Sequence, residues 1–101
     1  MTQDRIKIVV DADLEELIPD FLKNRSTDVD RLRESSSQKD FESIRSIGHS
    51  LKGVGGGYGF MKITELGAEL EKSAKENDMN TISKCIADLE HYLENIEVTY
   101  E

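Results

Sequence analysis

The apolar positions of this chain recur every three or four residues over most of its length. Residues at that spacing share one face of a helix, so the pattern predicts amphipathic helices. From residue 12 onward there are four such apolar stripes, which consist of Leu14, Leu17, Ile18, Phe21, Leu22, Val29 and Leu32; Phe41, Ile44, Ile47, Leu51 and Val54; Ile63, Leu66, Leu70 and Ala74; and Ile82, Cys85, Ile86, Leu89, Leu93, Ile96 and Tyr100. Four helices with short connections are typical of an all-α fold, an antiparallel up-and-down four-helix bundle.

Breaks in the pattern indicate where the helices begin. Pro19 is tolerated in the first turn of a helix, so we expect a short leading turn and then a long helix that starts near this residue. Three serines at residues 35–37 mark the next break, and one of them is expected to cap the second helix. Residues 77–80 (Asn-Asp-Met-Asn) predict a turn with an N-cap before the fourth helix.

Residues 6–10 are the longest apolar-leaning stretch near the N-terminus. They could form a strand, but the sequence predicts no second strand to pair with it. We therefore expect residues 1–11 to be a short helical lead-in that packs against a bundle formed by residues 12–101.

Composition excludes several classes of protein. The chain has 101 residues, which fits one domain, and its 21 acidic against 13 basic residues give a formal charge of −8. Such a surface repels phosphate backbones and anionic lipids, so we expect neither nucleic acid nor a membrane as a partner. No apolar run approaches the ~20 residues of a membrane span, and no secretory leader is visible. Cys85 is the single cysteine, so we expect a reduced, cytoplasmic protein without a metal site.

The second predicted helix runs into a glycine-rich segment, with five of the seven glycines at positions 53–59. Each glycine costs a helix up to ~1 kcal/mol relative to Ala. The segment is therefore a flexible loop, or else it supplies bare backbone for the close approach of a partner. It is not a P-loop, because Lys52 precedes the glycines, and it does not match the dinucleotide-binding pattern of glycines.

His49 lies next to this segment and away from the apolar stripe. At ~100° per residue it projects about 160° from the centre of the stripe, so it is expected to face solvent. Arg45 and Lys52, four and three positions away, flank it on the helix surface. If the helix continues far enough, Gly53 and Gly56 lie on the same face as His49 and leave it free of neighbouring side chains.

His91 offers an internal comparison, since it also lies opposite its stripe. Its helical neighbours include Asp88 and Glu94, whereas those of His49 include Arg45 and Lys52. A phosphoryl group carries nearly two negative charges and suits the basic surroundings. A neutral imidazole can attack phosphorus and hold the group as phosphohistidine. No acidic cluster resembles a Mg²⁺ pocket, so a partner would have to bring the metal.

The sequence His-Ser-Leu-Lys-Gly at residues 49–53, followed by Gly-Phe at 59–60, resembles the motif of histidine-containing phosphotransfer (HPt) domains. These domains are four-helix bundles that relay phosphoryl groups between response-regulator receiver domains in two-component signalling. The resemblance covers roughly residues 12–97.

The resemblance implies a role for each matching residue. His49 would be the phosphoacceptor, and Lys52 would help to hold the phosphoryl oxygens. Gly53 would allow a partner to approach closely, and Gly59 would mark the turn after the helix that carries the histidine.

We therefore expect a phosphorelay intermediate that passes a phosphoryl group to or from a receiver-domain aspartate, and not an independent enzyme. Lys52, Gly53, Gly56 and Arg45 are expected to stabilise the phosphoryl group or to dock the partner. Its partners would be receiver domains and a sensor histidine kinase, with no cofactor of its own and Mg²⁺ in the receiver. Two alternatives stay open: the phosphotransfer domain of a chemotaxis-type histidine kinase, which residues 49–60 also resemble, and a non-catalytic helical adaptor.

Overall fold

The computed structural model describes residues 5–101, and it contains the four helices that the apolar stripes predict. In chain order the elements are β1 (Ile6–Val10), a 3₁₀ turn (Ala12–Leu14), α1 (Ile18–Ser37), α2 (Phe41–Val54), a second 3₁₀ turn (Gly56–Tyr58), α3 (Met61–Lys75), α4 (Met79–Asn95) and β2 (Ile96–Tyr100). Pro19 lies in the first turn of α1, as its missing amide proton requires. The leading turn and the start of the long first helix are confirmed.

Aspartates cap two of the helices. The side chain of Asp40 accepts a hydrogen bond from the backbone N–H of Ser43 at 3.1 Å and so caps α2. The expectation of a serine cap is wrong, because residues 35–37 still belong to α1. Asp78 caps α4 by accepting from the backbone N–H of Thr81 at 3.2 Å, which confirms the predicted turn.

The two strands form a parallel pair that the sequence analysis did not predict. Ile6 lies opposite Ile96, and Val10 lies opposite Tyr100. The expected helical lead-in is therefore wrong for residues 6–10, which are a strand, and its residues 1–4 lie outside the described residues. The all-α description needs this small sheet added to it. The fourth helix ends at Asn95 and not at Tyr100, because the backbone turns extended at Ile96, where ψ is 143°.

The core is mainly aliphatic and receives side chains from all four helices. Each helix contacts its neighbour in sequence, and α1 also contacts α4. Cys85 is buried in this core, and burial raises the pKa of its thiol to about 11. No helix of residues 5–101 combines the length and the hydropathy needed to cross a membrane.

Aromatic side chains hold the glycine-rich segment against α1. The ring of Phe21 stacks on Tyr58 with centroids 4.4 Å apart, and on Phe60 with centroids 5.3 Å apart. Tyr58 ends the second 3₁₀ turn and Phe60 is buried just before α3. This stacking fixes the point at which the chain leaves α2 and enters α3.

Candidate functional site

His49 lies on α2 with its side chain 70% exposed, as the helical arithmetic predicts. Ile44, Ile47 and Leu51, on the opposite side of the same helix, are buried. The imidazole is therefore carried by a helix that is anchored by its other face.

Glu71 on α3 faces His49 and Lys52 and binds both. One carboxylate oxygen, Oε2, lies 2.9 Å from Nδ1 of His49, and the other, Oε1, accepts a hydrogen bond from Nζ of Lys52 at 2.9 Å. The Glu71 side chain is only 14% exposed. Sequence reasoning missed this residue, because it lies 22 positions from His49 on another helix.

The two basic partners hold Glu71 in its ionised form. The hydrogen bonds from Lys52 and then from His49 lower the pKa of its carboxyl group to about 2, although partial burial opposes them. An ionised carboxylate can only accept hydrogen bonds. When His49 is neutral, its Nδ1 must therefore carry the proton that Glu71 binds, and Nε2 keeps its lone pair.

Two glycines lie where the backbones of α2 and α3 approach each other closely. A Cβ atom at Gly67 on α3 would lie 2.4 Å from the backbone nitrogen of Lys52. One at Gly48 on α2 would lie 2.8 Å from the backbone nitrogen of Glu71. Real Cβ contacts are not this short, so the backbones touch here because both side chains are absent.

The glycine-rich segment is a defined turn. α2 ends at Val54, a 3₁₀ turn covers Gly56–Tyr58, and Gly59 has φ = +91°, which glycine adopts readily. The hydroxyl of Thr64 accepts from the backbone N–H of Gly56 at 2.8 Å and donates to the backbone oxygen of Lys52 at 3.1 Å. In the structure the segment is therefore the end of a helix followed by a hydrogen-bonded 3₁₀ turn.

The structure separates the two glycines that were expected to share the face of His49. Gly53 lies in the last turn of α2, it is exposed, and nothing lies within 4 Å of an ideal Cβ built on it. Gly56 lies beyond the end of the helix, in the 3₁₀ turn, so the helix does not carry it onto that face.

A shallow surface depression of about 340 Å³ lies beside the histidine. Its lining residues are Arg45, Ser46, His49, Ser50 and Glu71. The exposed Arg45 therefore faces the same space as the imidazole. Within residues 5–101 no group of three or more His, Cys, Asp or Glu side chains is arranged to hold a metal ion.

His91 has different surroundings, although it too is exposed. Its Nδ1 lies 3.3 Å from the amide nitrogen of Asn95, which also donates to the backbone oxygen of His91 at 2.7 Å. In the described part of the chain, only His49 forms a histidine–carboxylate pair.

An exposed histidine with a lysine beside it on the same helix is what the motif at residues 49–53 implies, and the carboxylate of Glu71 that binds both is an addition from the structure. A model of the Hpt domain family matches residues 16–99, nearly the whole chain. The chain belongs to the Hpt domain family. Hpt domains carry phosphoryl groups on a histidine in two-component signalling, interact with receiver domains and kinases, and have no independent turnover. Among curated proteins and among solved structures, no significant match to this Hpt domain was found.

Proposed function

We propose that this Hpt domain is a phosphorelay intermediate with His49 as its phosphoacceptor. The observation that carries the proposal is the carboxylate of Glu71, which binds Nδ1 of His49 and Nζ of Lys52 at 2.9 Å each. The domain would take the phosphoryl group from a kinase or a receiver aspartate and pass it to another receiver. We also propose that the four helices run antiparallel in an up-and-down order, because the connections between them are short. A cytoplasmic location is part of the same proposal.

The tautomer that Glu71 selects makes Nε2 the nucleophile. Nε2 attacks the phosphorus of an aspartyl phosphate, an N–P bond forms, and the acyl P–O bond breaks so that the aspartate leaves as a carboxylate. No proton has to leave Nε2 first. The ring becomes cationic as the bond forms, and the Glu71 carboxylate lies against its Nδ1–H and stabilises that charge.

Lys52 and Arg45 supply positive charge for the phosphoryl oxygens. Lys52 donates one of its three N–H groups to Glu71, and its side chain is 45% exposed, so the remaining donors can reach an incoming phosphoryl group. Arg45 lines the depression beside the imidazole. We propose that the domain needs no cofactor and that the Mg²⁺ used in phosphoryl transfer belongs to the receiver.

The surface past His49 suits a large partner. Gly53 and Gly57 have open space where a side chain would be, and Met61 is 60% exposed at the start of α3. A receiver can therefore bring its aspartate close to Nε2 without meeting a side chain at these two positions.

Phosphotransfer profiling tests the proposal. Sensor kinases and phosphorylated receivers of the same organism are incubated with the wild type, His49→Gln and His91→Gln. We expect acid-labile, base-stable label on the wild type and on His91→Gln, and none on His49→Gln. Label on His49→Gln at the wild-type level would contradict the assignment. No transfer from any donor would favour the adaptor, and transfer from a kinase alone would favour the chemotaxis-type domain.

A further inference from the structure

The contact between Gly48 and Gly67 lies one helical turn from the Lys52–Glu71 ion pair. Gly48 precedes Lys52 by four residues on α2, and Gly67 precedes Glu71 by four residues on α3. Because residues four apart share a helical face, both glycines lie on the faces that carry this pair. Gly48 is also the residue next to His49.

Backbone atoms crowd both glycines. An ideal Cβ on Gly67 would lie 2.4 Å from the nitrogen of Lys52 and 2.7 Å from the oxygen of Gly48. An ideal Cβ on Gly48 would lie 2.8 Å from the nitrogen of Glu71 and 2.9 Å from the oxygen of Gly67. A helix backbone cannot yield as a side-chain tip does, so any side chain here must move the two helices apart.

Neither glycine is needed for backbone conformation. Both lie inside helices, and the only glycine with positive φ among the described residues is Gly59. In a helix interior glycine is worse than Ala by ~1 kcal/mol. The chain thus carries two unfavourable residues, and what they provide is the short distance between α2 and α3.

That distance decides whether Glu71 reaches its partners. Hydrogen bonds to His49 and Lys52 are both 2.9 Å long, and a further ~0.6 Å takes such a contact beyond hydrogen-bonding range. We propose that Gly48 and Gly67 are positioning residues of the phosphoacceptor site, which set the helix spacing at which Glu71 binds His49 and Lys52 together. That the helix spacing matters for phosphoryl transfer rests on the proposed function. The effect of the two glycines on the contacts of Glu71 can be tested without any transfer.

The test compares Gly67→Ala and Gly48→Ala with Gly57→Ala as the matched control. The control adds the same methyl group where nothing lies within 4 Å. Circular dichroism and thermal melts first establish the temperature range in which each variant is folded. Within that range, ¹⁵N NMR of the His49 ring reports the tautomer, and ¹³C NMR of the Glu71 carboxyl reports its pKa.

We expect the wild type and Gly57→Ala to hold the proton of neutral His49 on Nδ1 and to keep the Glu71 pKa near 2. In Gly67→Ala and Gly48→Ala the tautomer should shift toward the mixture of an unrestrained imidazole, and the Glu71 pKa should rise toward its ordinary 4.5. A lower melting temperature with an unchanged tautomer and pKa would overturn the proposal, because the glycines would then serve stability alone. Failure of both Ala variants to fold would overturn it for the same reason.

A small phosphodonor connects the geometry to chemistry. Phosphoramidate needs no docking surface: Nε2 takes its phosphoryl group, the P–N bond of the donor breaks, and ammonia leaves. Misplacement of a reacting group by 1 Å can cost ~100-fold in rate, so we expect losses of up to that size in both Ala variants. Shifted tautomers with wild-type phosphorylation rates would overturn the positioning role. If no donor phosphorylates the wild type, but the tautomer shifts in the two Ala variants as expected, the proposed function is wrong and the geometric inference stands.

Discussion

Glu71 is the hydrogen-bond partner of Lys52 in the structure. The lysine donates to Oε1 of Glu71, and the imidazole lies against Oε2. In the proposed relay, the oxygens of a phosphoryl group on Nε2 would compete with Glu71 for the N–H groups of the same lysine. If His49 is the nucleophile, as we propose, Glu71 keeps the Lys52 ammonium beside it before the phosphoryl group arrives.

Substitution of Lys52 by Ala tests this role. We expect slower transfer, because the cation proposed to bind the phosphoryl oxygens is lost. We expect the variant to stay folded but to melt at a lower temperature, because the Glu71 carboxylate, whose side chain is 14% exposed, loses the partner that does most to lower its pKa. Single-turnover transfer and a thermal melt measure the two effects. Lys84→Ala, an exposed lysine on α4, is the control and should change neither. A wild-type transfer rate in Lys52→Ala would contradict the role.

Acid should weaken the fold through Glu71. Its pKa is about 2 in the folded protein against an ordinary 4.5, so the carboxylate stabilises the fold above pH 4.5, and this contribution is lost as the pH falls through 2. We expect the wild type to lose more stability than Glu71→Gln over this range. Urea unfolding at a series of pH values measures the difference. Asp40 and Asp78, whose pKa values are also lowered, titrate in both proteins and cancel in the comparison. If the two proteins lose stability in parallel, the pKa of Glu71 is not lowered in the folded protein.

At the residue scale, the sequence predicted only those site residues that lie together on one helix. His49, Lys52 and Arg45 share α2, so their relative positions follow from helical spacing alone. Glu71 joins them through the register of α3 against α2, which the Gly48–Gly67 contact sets. A glycine inside an apolar helical stripe, as at position 67, is the one sequence signal that could have indicated such an approach.

Among the elements, the end of α2 decides how a partner meets the site. Gly53 is helical and open to solvent, so replacing it with Gln should stabilise the helix by up to ~0.8 kcal/mol. The longer side chain would stand one turn from His49, where a receiver must approach. We therefore expect Gly53→Gln to melt at the same or a higher temperature and to accept phosphate poorly from a receiver.

Phosphoramidate and a control variant make the Gly53 prediction specific. The small donor should phosphorylate Gly53→Gln much as it does the wild type, because only docking is obstructed. Ser83→Gln places the same side chain on the exposed surface of α4, which does not carry the site, and should affect neither donor. Unimpaired transfer from a receiver to Gly53→Gln would count against close docking at this face.

The helices were predictable as elements, whereas the strands were not. Each helix has its own apolar stripe, but a strand needs a partner, and β1 and β2 lie 90 residues apart in the register that pairs Ile6 with Ile96. Ile96 and Tyr100 are also spaced as a helix requires, so they extended the fourth stripe. Alternation in Ile96–Tyr100, where every second residue is half-buried, indicates the strand once its partner is known.

For the molecule as a whole, the small sheet joins the two ends of the described chain. The inward-facing residues of β2 are half-buried and its outward-facing residues are exposed. Val98→Asp puts a charge on the inward face, and we expect it to lower the free energy of unfolding by roughly 1 to 3 kcal/mol. Thr99→Asp makes the same change on the outward face and should cost less. Urea titrations of both variants check this, and equal losses would mean that strand propensity, not burial, is responsible.

The parallel direction of β1 and β2 also has a mechanical consequence. Ile6 pairs with Ile96 and Val10 with Tyr100, so tension applied to residues 5 and 101 pulls the two strands in opposite directions along their length. The hydrogen bonds between them are then sheared together and cannot open one after another as in a zipper. The backbone bonds from Glu101 to Val10 and from Ala12 to Glu101, 3.0 Å each, lengthen the sheared region. Under such a load the force reaches the helices, and His49 with them, only after the hydrogen bonds between the two strands have broken.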